Sequence, residues 1–115
     1  MGKDRAPSRT EIPPGTLYML ILRSLARLGP MHGYGISQHI QSVSEDVLQV
    51  EEGSLYPALQ RMLIKGWVTA EWNQTENNRR ARYYRLTPAG KKQLSAEVSE
   101  FEKVMRAITK VIQPA

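Results

Sequence analysis

The chain has 115 residues, of which 41% are apolar and 23% charged, so it supports one folded domain rather than two or a disordered tail. No apolar run approaches the roughly 20 residues that cross a membrane, and the polar start is not expected to be a secretory signal. The absence of cysteine excludes disulfides, thiolate catalysis and cysteine-bound metal, and it suits the reducing cytoplasm in which we expect the protein to work.

The positive charge is confined to one part of the chain. Residues 53–92 hold eight basic and only two acidic residues, a net charge of +6, whereas the rest of the chain holds eight basic and nine acidic ones, a net charge of −1; the whole chain has a net charge of +5. This distribution predicts a polyanionic partner, and a merely solvated basic surface is the alternative.

A segment without periodicity and two short helices are predicted to open the fold. Residues 1–14 are predicted to form a flexible arm, with phosphate contacts by Lys3, Arg5 and Arg9 as the alternative to no role. The first helix should begin at residue 15 or 16 and end at residues 29–30, where glycine followed by proline stops it, and the second should cover residues 33–43. Tyr18 and Leu22 lie one turn apart outside the apolar stripe of the first helix, so they are predicted to contact a second subunit.

The third helix is predicted over residues 54–65, within the stretch that carries the strongest functional signal. In residues 52–63, Leu55, Leu59 and Met62 recur on one helical face, which should be core. A cap at Ser54 would keep Pro57 in the first turn, where a missing N–H costs nothing. The polar side chains off this stripe are expected to enter the major groove of DNA, as they do in a groove-reading helix.

A two-stranded hairpin is predicted next. Residues 67–74 and 82–86 alternate in polarity around a turn at residues 75–78. Val68, Ala70 and Trp72 should share one face, and Tyr84 and Leu86 should lie on the buried side of the second strand. Because arginines and aromatic residues interleave over residues 79–85, the hairpin is predicted to bind nucleic acid.

The last predicted helix is long. Thr87 should cap it and Pro88 should take its first position, and the pattern continues to about residue 112. Its apolar residues repeat at alternating spacings of four and three, which is a coiled-coil seam that one small domain cannot cover. Dimerisation is therefore predicted, and packing wholly within the chain is the alternative. The predicted dimer interface consists of Tyr18, Leu22, Leu94, Val98, Phe101, Met105, Ile108 and Ile112.

The order of elements predicts the fold class. It is α+β and mainly α: a winged helix-turn-helix over residues 15–86, with an added C-terminal dimerisation helix over residues 87–115.

Three segments resemble the PadR family of bacterial transcriptional regulators. They are residues 28–36 (LGPMHGYGI), 52–59 (EGSLYPAL) and 82–90 (RYYRLTPAG), in the order and spacing of the family. The second and third together are specific, whereas either alone would be weak. The resemblance covers about residues 15–110 and implies a homodimeric, usually repressing DNA-binding protein of the branch with a single C-terminal helix. It also implies that the third helix enters the major groove and that the hairpin wing lies at the flanking minor groove or backbone.

The predicted DNA-binding residues lie on the third helix, on the wing and at the start of the second helix. They are Ser54, Tyr56, Pro57, Gln60, Arg61, Lys65, Arg79, Arg80, Arg82 and Tyr34. Gln60 is expected to pair with adenine, Arg61 with guanine and Lys65 with phosphate, while the wing arginines favour a narrow A·T-rich minor groove. The alternatives are that Ser54 acts mainly as a cap, that the two tyrosines pack between helices, and that the wing arginines are solvated.

Catalysis is not predicted, because a phosphate loop, a nucleophile elbow and a Ser/His/Asp grouping are all missing. His32 and His39 lack metal-ligand spacing, so neither metal nor cofactor is predicted. The leading hypothesis is a cytoplasmic homodimeric repressor that binds a palindromic site on double-stranded DNA and is released by a small apolar effector at the dimer interface. Trp67 and Trp72 could line such a site, with a structural role as the alternative. The alternative function is a winged-helix protein-interaction module whose basic face docks an acidic partner.

Overall fold

A computed structural model describes residues 12–13 and 15–114 of the chain. The predicted arm, with Lys3, Arg5 and Arg9, therefore lies almost wholly outside the described residues. The elements in chain order are α1 (Leu17–Leu28), β1 (Met31–His32), α2 (Gly33–Val43), α3 (Glu52–Ile64), β2 (Val68–Gln74), β3 (Arg80–Leu86) and α4 (Pro88–Ile112). Three helices, a small antiparallel sheet and a long final helix confirm the predicted winged helix-turn-helix fold.

The sheet has a strand that sequence periodicity did not reveal. Its order is β1-β3-β2, and β1 pairs with β3 through Met31↔Tyr84 and His32↔Tyr83. Two residues are too few for an alternating pattern to be recognised. The short strand matters because it ties the hairpin of β2 and β3 to the start of α2, and a hairpin alone would be marginal in water.

Helix α1 lies at the centre of the core. It contacts α2, α3, α4 and β3, so it buries more than one stripe. Ile21 and Leu22 are both fully buried, and Leu25 is 2% exposed. The prediction that Leu22 faces a second subunit is therefore wrong, because it assumed that α1 packs on one side only.

Helix α3 begins earlier than predicted. Its N-cap is Glu51, whose carbonyl accepts hydrogen bonds from the backbone N–H groups of Ser54 (3.0 Å) and Leu55 (2.9 Å). Ser54 is thus the third residue of the helix, and the prediction that it forms the cap is wrong. Pro57 is the sixth residue of the helix. It has no N–H to donate to the carbonyl of Gly53, and both residues lie on the side of α3 that faces solvent.

The predicted start of α4 at Thr87 and Pro88 is confirmed, and hydrogen bonds of the Thr87 side chain hold it in place. Thr87 Oγ1 accepts a hydrogen bond from the N–H of Gly90 at 3.0 Å and donates one to the carbonyl of Gly66 at 2.7 Å. A Cβ at Gly90 would lie 2.1 Å from the carbonyl oxygen of Trp67, so only glycine permits this close approach.

The two halves of α4 differ in burial. Leu94 is 6% exposed and belongs to the core of its own domain, so its prediction as a dimer contact is wrong. Val98 is half-buried against the same core. Beyond it, the apolar stripe is uncovered from Phe101, 40% exposed, to Ile112, 73% exposed. None of the helices in the described ranges is long and apolar enough to cross a membrane.

Candidate nucleic-acid interface

The outward side of α3 is set by the residues that it buries. Leu55, Ala58, Leu59 and Met62 are at most 1% exposed and anchor the inner side. At about 100° per residue, the opposite side is led by Gly53, Pro57, Gln60 and Ile64. All four are exposed, so the predicted Gln60 and Pro57 lie where a groove-reading helix meets base edges.

Ile64 was missed by sequence reasoning. It is 78% exposed at the last position of α3, in line with Gln60 on the outward side. The prediction from sequence considered only polar side chains on this side, although apolar side chains also contact the methyl group of thymine. Its signal in the sequence was an isoleucine outside the apolar stripe.

Tyr56 lies on the flank of α3 that faces the wing. Its ring sits over Gly33, where a Cβ would come within 2.8 Å of the ring, and the residue is still 45% exposed. Partial burial raises the pKa of its phenol, and the nearby Glu52 and Tyr84 raise it further. The side chain therefore packs at the junction of α2 and α3 and also keeps a protonated hydroxyl at the surface.

Two basic residues occupy the opposite flank of α3, each beside an aromatic ring. Arg61 Nε donates a hydrogen bond to the hydroxyl of Tyr18 at 2.5 Å, and its guanidinium carbon lies 5.7 Å from the centre of that ring. Lys65 Nζ lies 5.3 Å from the ring centre of Trp67. Tyr18 and Trp67 meet edge to face at 5.5 Å, so Tyr18 is occupied by contacts within its own chain.

The predicted basic residues of the wing lie in two places, on one face of β3 and in the turn before it. Trp72 pairs with Arg82 across the strands, and by alternation Arg80 and Tyr84 share the face of Arg82. The guanidinium of Arg80 lies 5.1 Å over the ring of Trp72, which is 59% exposed. Arg79 stands apart in the turn before β3, where its N–H donates to the hydroxyl of Thr75 at 3.3 Å.

A surface groove of about 410 Å³ joins α2, α3 and the wing. Its lining consists of His32, Gly33, Tyr34, Tyr56, Trp72, Arg80, Ala81, Arg82 and Tyr84. Among these described residues two are arginines and none is acidic. The groove thus brings four of the predicted residues together (Tyr34, Tyr56, Arg80 and Arg82), and it adds Trp72.

Tyr34 stands at the entrance to this groove. It is 64% exposed, and its hydroxyl accepts a hydrogen bond from Gln38 Nε2 at 2.8 Å. Its ring stacks on His32 with centres 6.4 Å apart. His32 in turn caps α2, because its Nδ1 accepts the N–H of Gly35 at 3.0 Å. Within the described ranges, no three acidic or histidine side chains are grouped to hold a metal ion.

The fold and the groove define the class of protein. Three helices with a wing, a polar outward side on the third helix and an arginine-lined groove beside it are the features of a winged-helix DNA-binding protein.

Comparison with known sequences then identifies the family. Residues 21–96 match the sequence model of the transcriptional regulator PadR-like family, and the chain belongs to this family of DNA-binding regulators. It is 33% identical over 100 residues to an uncharacterised protein of Lysinibacillus sphaericus, covering 87% of this chain and 91% of that protein.

Solved structures agree with this assignment. A transcriptional regulator from Clostridium thermocellum is 28% identical with a TM-score of 0.79, covering 86% of this chain and 95% of its own. A PadR family transcription regulator from Clostridium difficile R20291 is 27% identical with a TM-score of 0.73, covering 86% and 100% respectively. The predicted resemblance to the PadR family is thus confirmed.

Proposed function

We propose that the protein is a homodimeric repressor that binds a palindromic operator in double-stranded DNA. One observation carries this proposal: the flank of α3 at Tyr56, the start of α2 and the arginine-bearing face of the wing border one surface groove, and the exposed outward side of α3 begins beside it at Pro57. A helix and a wing arranged in this way can engage a major groove and the neighbouring backbone at the same time.

The residues of α3 have different roles in the proposal. Gln60 and Arg61 read base edges, since glutamine pairs bidentately with adenine and arginine with guanine. Ser54, Tyr56 and Pro57 lie in the first two turns and contact the edges and backbone of the same groove. Lys65 binds phosphate from the last turn of the helix.

The wing and α2 supply affinity more than sequence preference. Arg80 and Arg82 point from the wing towards the flanking minor groove, whose negative potential is strongest where A·T pairs narrow it. Arg79 and Tyr34 contact the backbone on either side. These contacts position the protein on the duplex, while the bases are read by α3.

Dimerisation would use the uncovered half of α4. Phe101, Met105, Ile108 and Ile112 form one exposed stripe, with the half-buried Val98 at its inner end. Exposed apolar side chains repeated at this spacing are covered by a second helix in coiled coils. A two-fold axis would place the recognition helices about 34 Å apart, one turn of the duplex.

An effector belongs to the same proposal. A small apolar compound inserted between the two α4 helices would change the separation of the recognition helices. It would then shift the population from a DNA-binding to a non-binding state, provided that it binds the second state more tightly.

The test begins with selection of duplexes from a random pool by the full chain, followed by footprinting. The expected result is a protected palindrome and a steep loss of affinity with rising salt, because several phosphate contacts release counterions. The variant Q60A should relax preference at one position of each half-site, worth about 1–3 kcal/mol. R80A should instead weaken binding to all sequences alike. A protein that selects no duplex and shows no salt dependence would contradict this proposal and favour the alternative, a docking module for an acidic protein.

A further inference from the structure

We propose that Tyr18 is a positioning residue for DNA recognition, which holds Arg61 in the orientation that α3 presents to the duplex. This inference rests on the proposed function and adds to it a residue of α1, a helix that lies outside the helix-turn-helix pair. It also gives Tyr18 a role other than the subunit contact predicted from the sequence.

The contact between the two side chains is specific. Arg61 Nε donates to the Tyr18 hydroxyl at 2.5 Å, and the guanidinium carbon is 5.7 Å from the ring centre. The bond uses one of the five N–H groups of arginine, so the four on the two Nη atoms remain for a partner. Those four are the groups that grip guanine or phosphate bidentately.

Tyr18 is suitable as a support because its own ring is fixed. It is half-buried against the core, and its ring meets Trp67 edge to face at 5.5 Å. Arg61, by contrast, is exposed, and a long exposed side chain loses freedom when it binds. Holding the guanidinium before DNA arrives removes part of that loss.

The chemistry of the acceptor also matters. Glu51 lines the same surface cavity of about 510 Å³ as Tyr18 and Arg61, but the group that accepts the hydrogen bond from Arg61 is the Tyr18 hydroxyl. A carboxylate would orient Arg61 equally well, but it would neutralise the charge that DNA must attract. A hydroxyl acceptor orients the guanidinium and leaves its positive charge available.

The experiment is a double-mutant cycle on the full chain. The variants are Y18F, R61A and their combination, and the probe is the operator duplex recovered by selection, measured by fluorescence anisotropy. Y18F removes one oxygen and keeps the ring and its contact with Trp67. Its affinity should fall about 3- to 10-fold, the range expected when one long side chain must be ordered on binding. In the R61A background the same change should have no further effect.

A matched control is Y83F. Tyr83 also donates a hydroxyl hydrogen bond, to the carbonyl of Gln74 at 3.5 Å, on the outer face of the wing. It loses the same atom and should bind as the unmodified protein does. If Y18F lowers the thermal midpoint, R61M provides a second test, because methionine keeps a long unbranched side chain but donates no hydrogen bond, so binding by R61M should be insensitive to Y18F.

Each result decides the matter. Full affinity of Y18F, or an equal loss in the presence and absence of Arg61, would overturn the positioning role. Unchanged binding by R61A to a selected duplex would overturn it as well, while the proposed DNA-binding function would stand. Failure to select any duplex would remove both.

Discussion

The variant I108E should separate the proposed dimer into monomers. Ile108 is 45% exposed in a single chain, and burying a whole isoleucine contributes about 1.5–3 kcal/mol. Its uncovered part is therefore worth about 0.7–1.4 kcal/mol in each protomer, or about 1.4–2.8 kcal/mol across a two-fold interface. This loss alone raises the dissociation constant roughly 10- to 100-fold, and two carboxylates facing each other in an apolar seam raise it further.

Sedimentation velocity over the micromolar range measures this directly. The matched control is K103E on the same helix, since Lys103 is exposed and lies about 140° around α4 from Ile108. K103E should remain dimeric at every concentration at which the unmodified protein does. If I108E also remains dimeric, the stripe of α4 is not the interface and the predicted spacing of the half-sites loses its basis. If I108E is monomeric, its affinity for the operator should fall because the two half-sites are no longer bound together.

Three further variants test the packing around the site. G90A places a Cβ 2.1 Å from the backbone oxygen of Trp67, so urea unfolding should show that the free energy of unfolding falls by about 1–3 kcal/mol or more. The control is G53A, whose added Cβ meets open space and which should be as stable as the unmodified protein. G33A places a Cβ 2.8 Å from the tip of the Tyr56 side chain, which can turn aside, so the protein should still fold. Its affinity for the operator should fall several-fold, because the phenol is displaced. Unchanged affinity would refute a role for Tyr56 in DNA binding. Because the pKa of Tyr56 is raised in the folded protein, the stability that its neutral phenol contributes is complete below the ordinary phenol pKa and is lost as pH rises through the raised pKa. The variant Y56F should remove this part of the dependence of the free energy of unfolding on pH at alkaline pH.

The helix boundaries that the sequence predicted well are those with local causes. Gly29 followed by proline ends α1, and Thr87 followed by proline begins α4. The start of α3 was misplaced because its cap depends on the preceding loop. In that loop Glu45 and Asp46 both take positive φ values, 55° and 68°. Left-handed backbone at acidic residues has no periodic signature in a sequence.

The site was predictable where it follows from a repeating pattern. Exposure of Gln60 follows from helical periodicity, and the common face of Arg80 and Arg82 follows from strand alternation. The exposure of Trp72 could not be predicted in this way, because strand alternation predicts which face a residue lies on but not how far the core covers that face. Along that face Val68 is 2% exposed and Trp72 is 59% exposed, since the helices pack only on the base of the hairpin. The bond from Arg61 could not be foreseen either, because its partner lies 43 residues away.

The burial of Leu22 and Leu94 changes how the proposed interface would communicate with DNA. Both belong to the core that joins α1, α3 and the first turns of α4, so the uncovered part of α4 extends from a closely packed base. Residues 94–112 span about 27 Å at ~1.5 Å per residue. If the two helices pivot near Ile112, a change of about 5° in their crossing angle would displace the base of each helix, together with the α3 of that domain, by about 2 Å. Donor–acceptor distances in hydrogen bonds vary by only about 0.5 Å, so a displacement of this size is enough to break base contacts made by α3 in one half-site while the other half-site stays bound. An apolar compound lodged between the α4 helices would thus need to alter their angle only slightly, without any rearrangement inside either domain.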